Sequence, residues 1–175
     1  AHVVTSALLA IDGPEKKGRN WLADPGVEIP AGATAVHGIT TEHARQHGRP
    51  HDEVLAETIA AIRRAWRDGL TLVAYNAAYD LTVLRTQDPG FTVDGLVFDP
   101  LVIDRARDQY RGGKRTLGNV CEHYHVRLDN AHEATADALA AARLAWMMAK
   151  KVWPDLAAMD GDELNLVERG ANYGY

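Results

Sequence analysis

Residues 70–75, LTLVAY, form an almost unbroken apolar run of strand length. A strand with one wet face alternates apolar and polar residues, so a run without alternation belongs to a strand buried on both sides, as in a parallel sheet covered by helices. That requirement calls for flanking helices and further strands, and the chain supplies them. Upstream, Asp52 to Arg67 carries Leu55, Ile59, Ile62 and Trp66 at spacings of four, three and four, with Glu57, Arg63 and Arg64 off the stripe, which predicts an amphipathic helix. Downstream, the pattern predicts a helix from Ala78 that stops before Asp88-Pro89-Gly90, and a short strand over Leu96 to Phe98. Further helices are expected from Pro100 to Gln109, after Thr116, and from Ala134 to Val152, where Leu139, Ala142, Trp146, Ala149 and Trp153 share a face before Pro154. The first twelve residues form a strand ending in the hairpin signal Asp12-Gly13. After a polar PEKKGR turn comes a short strand over Asn20 to Ala23, and then an irregular loop in which Thr40 or Thr41 caps a short helix. Strands leading into helices after an initial hairpin indicate an α/β domain with a mixed sheet.

The 175 residues fit one domain, with no internal repeat or linker. No apolar run approaches the roughly 20 residues that cross a bilayer, and the opening AHVVTSALLAID lacks the basic flank of a signal peptide. The expected location is intracellular, in the cytoplasm. The single cysteine, Cys121, excludes an internal disulfide framework and a cysteine-based zinc cluster, and its setting LGNVCEHY is that of a small buried hydrophobe. A net charge of −5 argues against a broad phosphate-gripping surface, yet it is compatible with a site that touches only the end of a nucleic acid strand or holds cations.

Two stretches carry candidate chemistry. In YNAAYDLTVL, residues 75–84, the apolar strand gives way to a helix whose first turn holds Asp80, at the carboxyl edge where open α/β sheets place ligands. In HEATADA, residues 132–138, Asp137 lies in the first turn of the longest helix and His132 on the approach to it. Taken singly, each aspartate is explained by the helix dipole, worth about 0.3–1 kcal/mol. Two such ends converging on one point would repel unless a hard cation such as Mg²⁺ or Mn²⁺ neutralised them, and an adjacent histidine would then be suited to take a proton from water.

At this point the residues show a family likeness. Asn76-Ala77-Ala78-Tyr79-Asp80 resembles the second motif, and His132-Glu133-Ala134-Thr135-Ala136-Asp137 the HxAxxD third motif, of the DnaQ-like (DEDD) 3′-to-5′ exonucleases. Val36-His37-Gly38-Ile39-Thr40 resembles the HGIT loop that packs against the terminal nucleotide in relatives. Histidine five residues before the last acid is the mark of the DEDDh branch. The likeness covers residues 1–153 and implies a ribonuclease H-like fold, with 154–175 as a C-terminal helix and a tail that frays at GANYGY. It also implies two-metal phosphodiester hydrolysis with Mg²⁺ or Mn²⁺, in which Asp80 and Asp137 are metal ligands and His132 the general base. Nucleic acid contacts are expected from His37, Gly38, Ile39, Asn76 and Tyr79, and from Lys114 and Arg115 in the RGGKR loop, which alternatively is only a solvated turn. Asp99, after a strand, is expected to cap the next helix.

The family's first motif, DxE on the central strand, is missing. Asp12 and Glu15 sit at a hairpin tip and do not replace it. The resemblance places that strand before Ala1, between the hairpin and LTLVAY, so the sequence is expected to begin downstream of its native start, or another subunit's strand to fill the gap. The leading expectation is a 3′-to-5′ exonuclease acting on single-stranded DNA or RNA, with proofreading, DNA repair and RNA turnover all left open as its setting. A catalytically inactive relative that binds nucleic acid ends, or docks on a polymerase or repair partner, is the alternative. A general hydrolase of small phosphate esters is a weaker third, since it leaves the HGIT loop without a purpose.

Overall fold

A computed structural model describes residues 2–12, 14–152 and 166–170. The opening hairpin pairs β1 (Thr5–Asp12) with β2 (Glu15–Asp24) in antiparallel register, from Asp12 opposite Glu15 to Thr5 opposite Leu22. The second strand is much longer than the four residues expected. Its first half, EKKGRN, is exposed along its length, so cross-strand pairing to β1 sets its conformation without help from burial. Next come α1 (Ala31–His37), α2 (Thr41–His47), β3 (Arg49–Pro50) and α3 (His51–Arg67). The α1 helix falls where an irregular loop was expected. It buries only Ala33 and so shows no apolar stripe, and Gly38 at φ 74° ends it by donating its N–H to the Thr34 carbonyl. The cap of α2 is Thr40, whose hydroxyl accepts from the His43 N–H.

The second half follows the expected alternation, with β4 (Thr71–Val73), α4 (Ala77–Gln87), β5 (Val97–Phe98), α5 (Pro100–Arg107), α6 (Leu117–His123) and α7 (Ala134–Val152). Cys121 is buried, as its setting suggests. The tail contributes β6 (Leu166–Gly170). A helix was expected in this tail, but residues 166–170 are a strand; residues 153–165 and 171–175, including most of GANYGY, lie outside the described residues.

Among the described residues the sheet order is β3-β2-β1-β6-β4-β5. The place between the hairpin and LTLVAY is thus taken by the chain's own C-terminal strand, rather than by another subunit. It runs antiparallel to β1, from Ala7 opposite Gly170 to Ile11 opposite Leu166, and parallel to β4, with Val73 opposite Glu168. The sheet is mixed and lies between two helical layers. On one side α3 and α4 bury Val54, Ile59, Ile62, Trp66, Val83 and Leu84 against Leu8, Trp21 and Leu72. On the other, α7 sets Ala141, Ala142 and Ala145 on Val73, and α6 packs Val120, Cys121 and Tyr124 beside Ala140, Leu144 and Met148. Methyl side chains let α7 lie low on the strands, which is why its sheet-facing side is alanine rather than leucine.

Gly48 fixes the seat of α2. A Cβ there would stand 2.3 Å from the Ala44 carbonyl oxygen and 2.6 Å from the Asp24 amide nitrogen, both backbone atoms that cannot swing aside. Gly48→Ala is expected to destabilise the protein by about 1–3 kcal/mol, seen as a lower midpoint in urea with the slope unchanged.

Candidate active site

The turn from β4 into α4 is held by Asp99, the residue between β5 and α5. Asn76 takes a left-handed conformation at φ 59° and ψ 43°. Its N–H donates to Asp99 Oδ1 at 3.0 Å, and the Ala77 N–H donates to Asp99 Oδ2 at 2.9 Å. Asp99 also caps α5, as the sequence suggested, by accepting from the Leu101 N–H at 2.9 Å. One carboxylate therefore joins the beginnings of two helices, satisfying amides that would otherwise lack partners. Only the cap on α5 is visible locally; the bonds to Asn76 and Ala77 span more than twenty residues and leave no sequence signal. This clamp sets Asp80, buried, in the first turn of α4.

At the start of α7 the chain is bent back on itself. His132 has φ 74°, and its N–H donates to Asp137 Oδ1 at 3.1 Å, so HEATAD closes around its own last residue. The first turn is tied to the hairpin by Thr135, whose hydroxyl donates to Asn20 Oδ1 at 2.9 Å across 115 positions of sequence. Burial pushes the Asp137 carboxyl above the usual carboxylate range, and the His132 N–H offsets part of that rise.

The HGIT segment is shaped mainly by its own bonds. Ile39 N–H donates to His37 Nδ1 at 3.1 Å, and Thr34 Oγ1 donates to the Ile39 carbonyl at 3.0 Å. Because Nδ1 accepts, the proton of the neutral ring sits on Nε2, an atom buried without a hydrogen-bond partner among the described residues. Burial also lowers the His37 pKa, favouring that neutral form.

These parts meet. A cleft of about 360 Å³ is walled by Thr5, Asn20, Trp21 and Leu22 of the hairpin, His37 and Ile39 of the HGIT segment, and His132 to Thr135. His37 and His132, separated by most of the domain in sequence, thus share one cavity. Gly38, Asn76, Tyr79, Asp80, Lys114, Arg115 and Asp137 are not among its walls. Arg115 departs from expectation. Its guanidinium points inward to Asp104 Oδ2 at 2.5 Å and to the carbonyls of Asp104, Asp108 and Arg111, because a fully buried carboxylate at position 104 needs cationic partners. Lys114 beside it remains exposed.

The donors at Asp80 and Asp137 are hard oxygens of the kind Mg²⁺ and Mn²⁺ take. Among the described residues, however, no three His, Cys, Asp or Glu side chains gather closely enough to form a metal site. The fit is one of chemistry, incomplete in number.

Comparison with known proteins settles the relationship. The family model described as an exonuclease (RNase T type) matches residues 9–145. This chain belongs to the DnaQ-like exonuclease family. It is 32% identical over 148 residues to the PolC-type DNA polymerase III of Streptococcus thermophilus, a match covering 81% of this chain and 9% of that protein. It is 30% identical over 158 residues to its counterpart in Clostridium perfringens, covering 88% and 10%. A DNA polymerase III subunit epsilon-like protein from Rhodobacter capsulatus is 34% identical over 110 residues, covering 58% and 14%. The exonuclease chain therefore spans about a tenth of the length of the polymerases it matches. A solved structure of Exonuclease X in complex with 5′ overhanging duplex DNA aligns with a TM-score of 0.59 at 20% identity, covering 85% of this chain and 83% of that one. The fold is thus the ribonuclease H-like one. No helix among the described residues is long and apolar enough to cross a membrane.

The raised Asp137 pKa carries a sign. The folded state holds that proton more tightly than the unfolded chain, so stability contributed by the group is present at low pH and is lost as pH rises through the folded pKa. In metal-free buffer at neutral pH, Asp137→Asn, which keeps an oxygen for the His132 N–H, is expected to melt at or above the wild-type temperature. The gap between the two proteins should narrow as the pH is lowered through the raised folded pKa toward the ordinary aspartate range.

Proposed function

We propose that this exonuclease removes nucleotides from the 3′ end of single-stranded DNA or RNA, with His132 as general base and Asp80 and Asp137 as the carboxylates of the reacting centre. The observation that carries the reading is the shared cavity of His37, Ile39 and His132: a wall able to pack on a nucleoside stands beside an imidazole able to move a proton. His132 is exposed, so water and substrate reach it, and the bond from its N–H to Asp137 keeps imidazole and carboxylate on one turn of chain. In this reading the imidazole accepts the proton of the attacking water as the oxygen approaches phosphorus, the bond from phosphorus to the 3′-oxygen of the preceding nucleotide breaks, that oxygen leaves and is protonated from solvent, and Ile39 packs on the terminal sugar and base. Gly38 gives them room, since no side chain crowds its Cα. Asn76 and Tyr79, on the turn held by Asp99, line the approach of the strand. Mg²⁺ or Mn²⁺ on Asp80 and Asp137 would supply positive charge against the phosphoryl oxygens. The relatives' names, a PolC-type DNA polymerase III and a DNA polymerase III subunit epsilon-like protein, support a polymerase or repair partner, and Exonuclease X in its DNA complex supports a nucleic acid substrate.

With Mn²⁺ present, the protein is expected to shorten an oligonucleotide ending in a 3′-hydroxyl and to leave a 3′-phosphorylated one largely intact. His132→Ala and Asp137→Asn should each lower the rate by about 10²-fold or more, with thermal unfolding showing a folded protein. Full activity in both variants, or shortening from the 5′ end, refutes the assignment. Calorimetric titration with Mn²⁺ separates the alternative: oligonucleotide binding without metal uptake or shortening would make the chain a module that holds nucleic acid ends.

A further inference from the structure

The RGGKR loop is closed at both ends by one buried carboxylate. Asp104, with 0% of its surface exposed, accepts from Arg111 at 2.9 and 2.6 Å and from Arg115 at 2.5 Å. Arg111 also reaches Asp108 at 3.3 Å. Two arginines and two aspartates cancel, which leaves Lys114 as the uncompensated charge of the loop; no ion pair to it occurs among the described residues. Between the bracketed arginines stand Gly112, Gly113 and Lys114, all exposed, with open space where Cβ atoms of the glycines would lie and Gly113 at φ 93°. The loop is tied to the sheet as well. The Tyr75 hydroxyl donates to the Arg115 carbonyl at 2.6 Å, and Tyr75 immediately precedes Asn76, where the clamped turn into α4 begins.

We propose that Asp104 is a positioning residue that, by gripping Arg111 and Arg115, holds the Gly112-Gly113-Lys114 apex beside the carboxyl edge of β4 as a contact for a non-scissile phosphate of the nucleic acid. Open backbone at two glycines lets a phosphodiester approach closely, and the lysine ammonium supplies a point charge. A buried carboxylate costs free energy to desolvate, and its two arginines recover that cost only in good geometry, so the bracket is stiff or it does not form. The inference rests on the nucleic acid substrate proposed above and adds a site separate from the reacting centre.

The test is fluorescence anisotropy of a labelled single-stranded oligonucleotide with the whole chain in EDTA, from about 0.05 to 0.2 M salt, with shortening in Mn²⁺ followed in parallel. Lys114→Ala should weaken binding roughly five- to tenfold at the lowest salt and flatten the slope of log Kd against log salt by about 0.7, the value of one phosphate contact on a single strand. Asp104→Asn decides the mechanism, because the two ideas differ in sign. Removal of a negative charge alone tightens binding to a polyanion, whereas loss of the bracket weakens it, and the weakening should vanish when Lys114 is already alanine. Gly113→Ala, which strains the exposed apex without changing charge, should weaken binding in the same way and covers the case in which Asp104→Asn does not fold. Wild-type affinity in Lys114→Ala overturns the proposal, as does tighter binding in Asp104→Asn or an unchanged Kd in Gly113→Ala. Those results with normal shortening by the wild type sink this inference alone; a wild type that binds yet does not shorten sinks the nuclease reading and leaves this one standing.

Discussion

Everything in this fold leans on the backbone pairing at the middle of the sheet. β1 and β4 each present a row of N–H and C=O groups toward the same gap, and buried peptide groups without partners are costly enough that such a gap does not persist in a folded core. β6 occupies it, antiparallel to one neighbour and parallel to the other. The hairpin carries one wall of the cleft, and β4 leads into the turn that bears Asp80, so the register of this one strand sets how the cleft and that turn lie relative to each other.

How much of this was legible depended on how local the cause was. The apolar run at 70–75 and the stripe of α3 report burial directly, and α3, α4, α5 and α7 fall within a residue or two of expectation. The α1 helix and the first half of β2 did not show, because the first buries one alanine and the second is held by its partner strand. The strand at 166–170 was invisible for the opposite reason: LVERG has no alternation of its own, and its place comes from two neighbours far away in sequence. The motifs at 36–40 and 132–137 each contribute walls to the one cleft, whereas 76–80 does not. The contacts that tie two of these segments to the rest of the fold, Asp99 to Asn76 and Thr135 to Asn20, are long-range and left no trace. Arg115 was misjudged because a basic loop looks like a nucleic acid contact until a buried acid beneath it is seen.

The site gathers unusual backbone as well as unusual charge. Asn76, Gly38 and His132 all have positive φ, and each marks a turn at which a candidate motif leaves regular structure. Left-handed conformations at non-glycine residues are held here by bonds from outside the turn or across it, Asp99 on one and Asp137 on the other. Candidate chemistry thus sits on short, clamped ends of rigid elements rather than on long loops.

Among the described residues the far edge of β2 pairs with β3 at Ala23 and Asp24 alone, so most of that ten-residue strand has no neighbouring strand on that side. Such an edge invites a second chain to add a strand. Here the exposed stretch carries Lys16, Lys17 and Arg19, whose mutual repulsion across any intermolecular pairing disfavours stacking of copies. The polar first half of the strand, which contributes little to the core, thereby acts as a guard against aggregation.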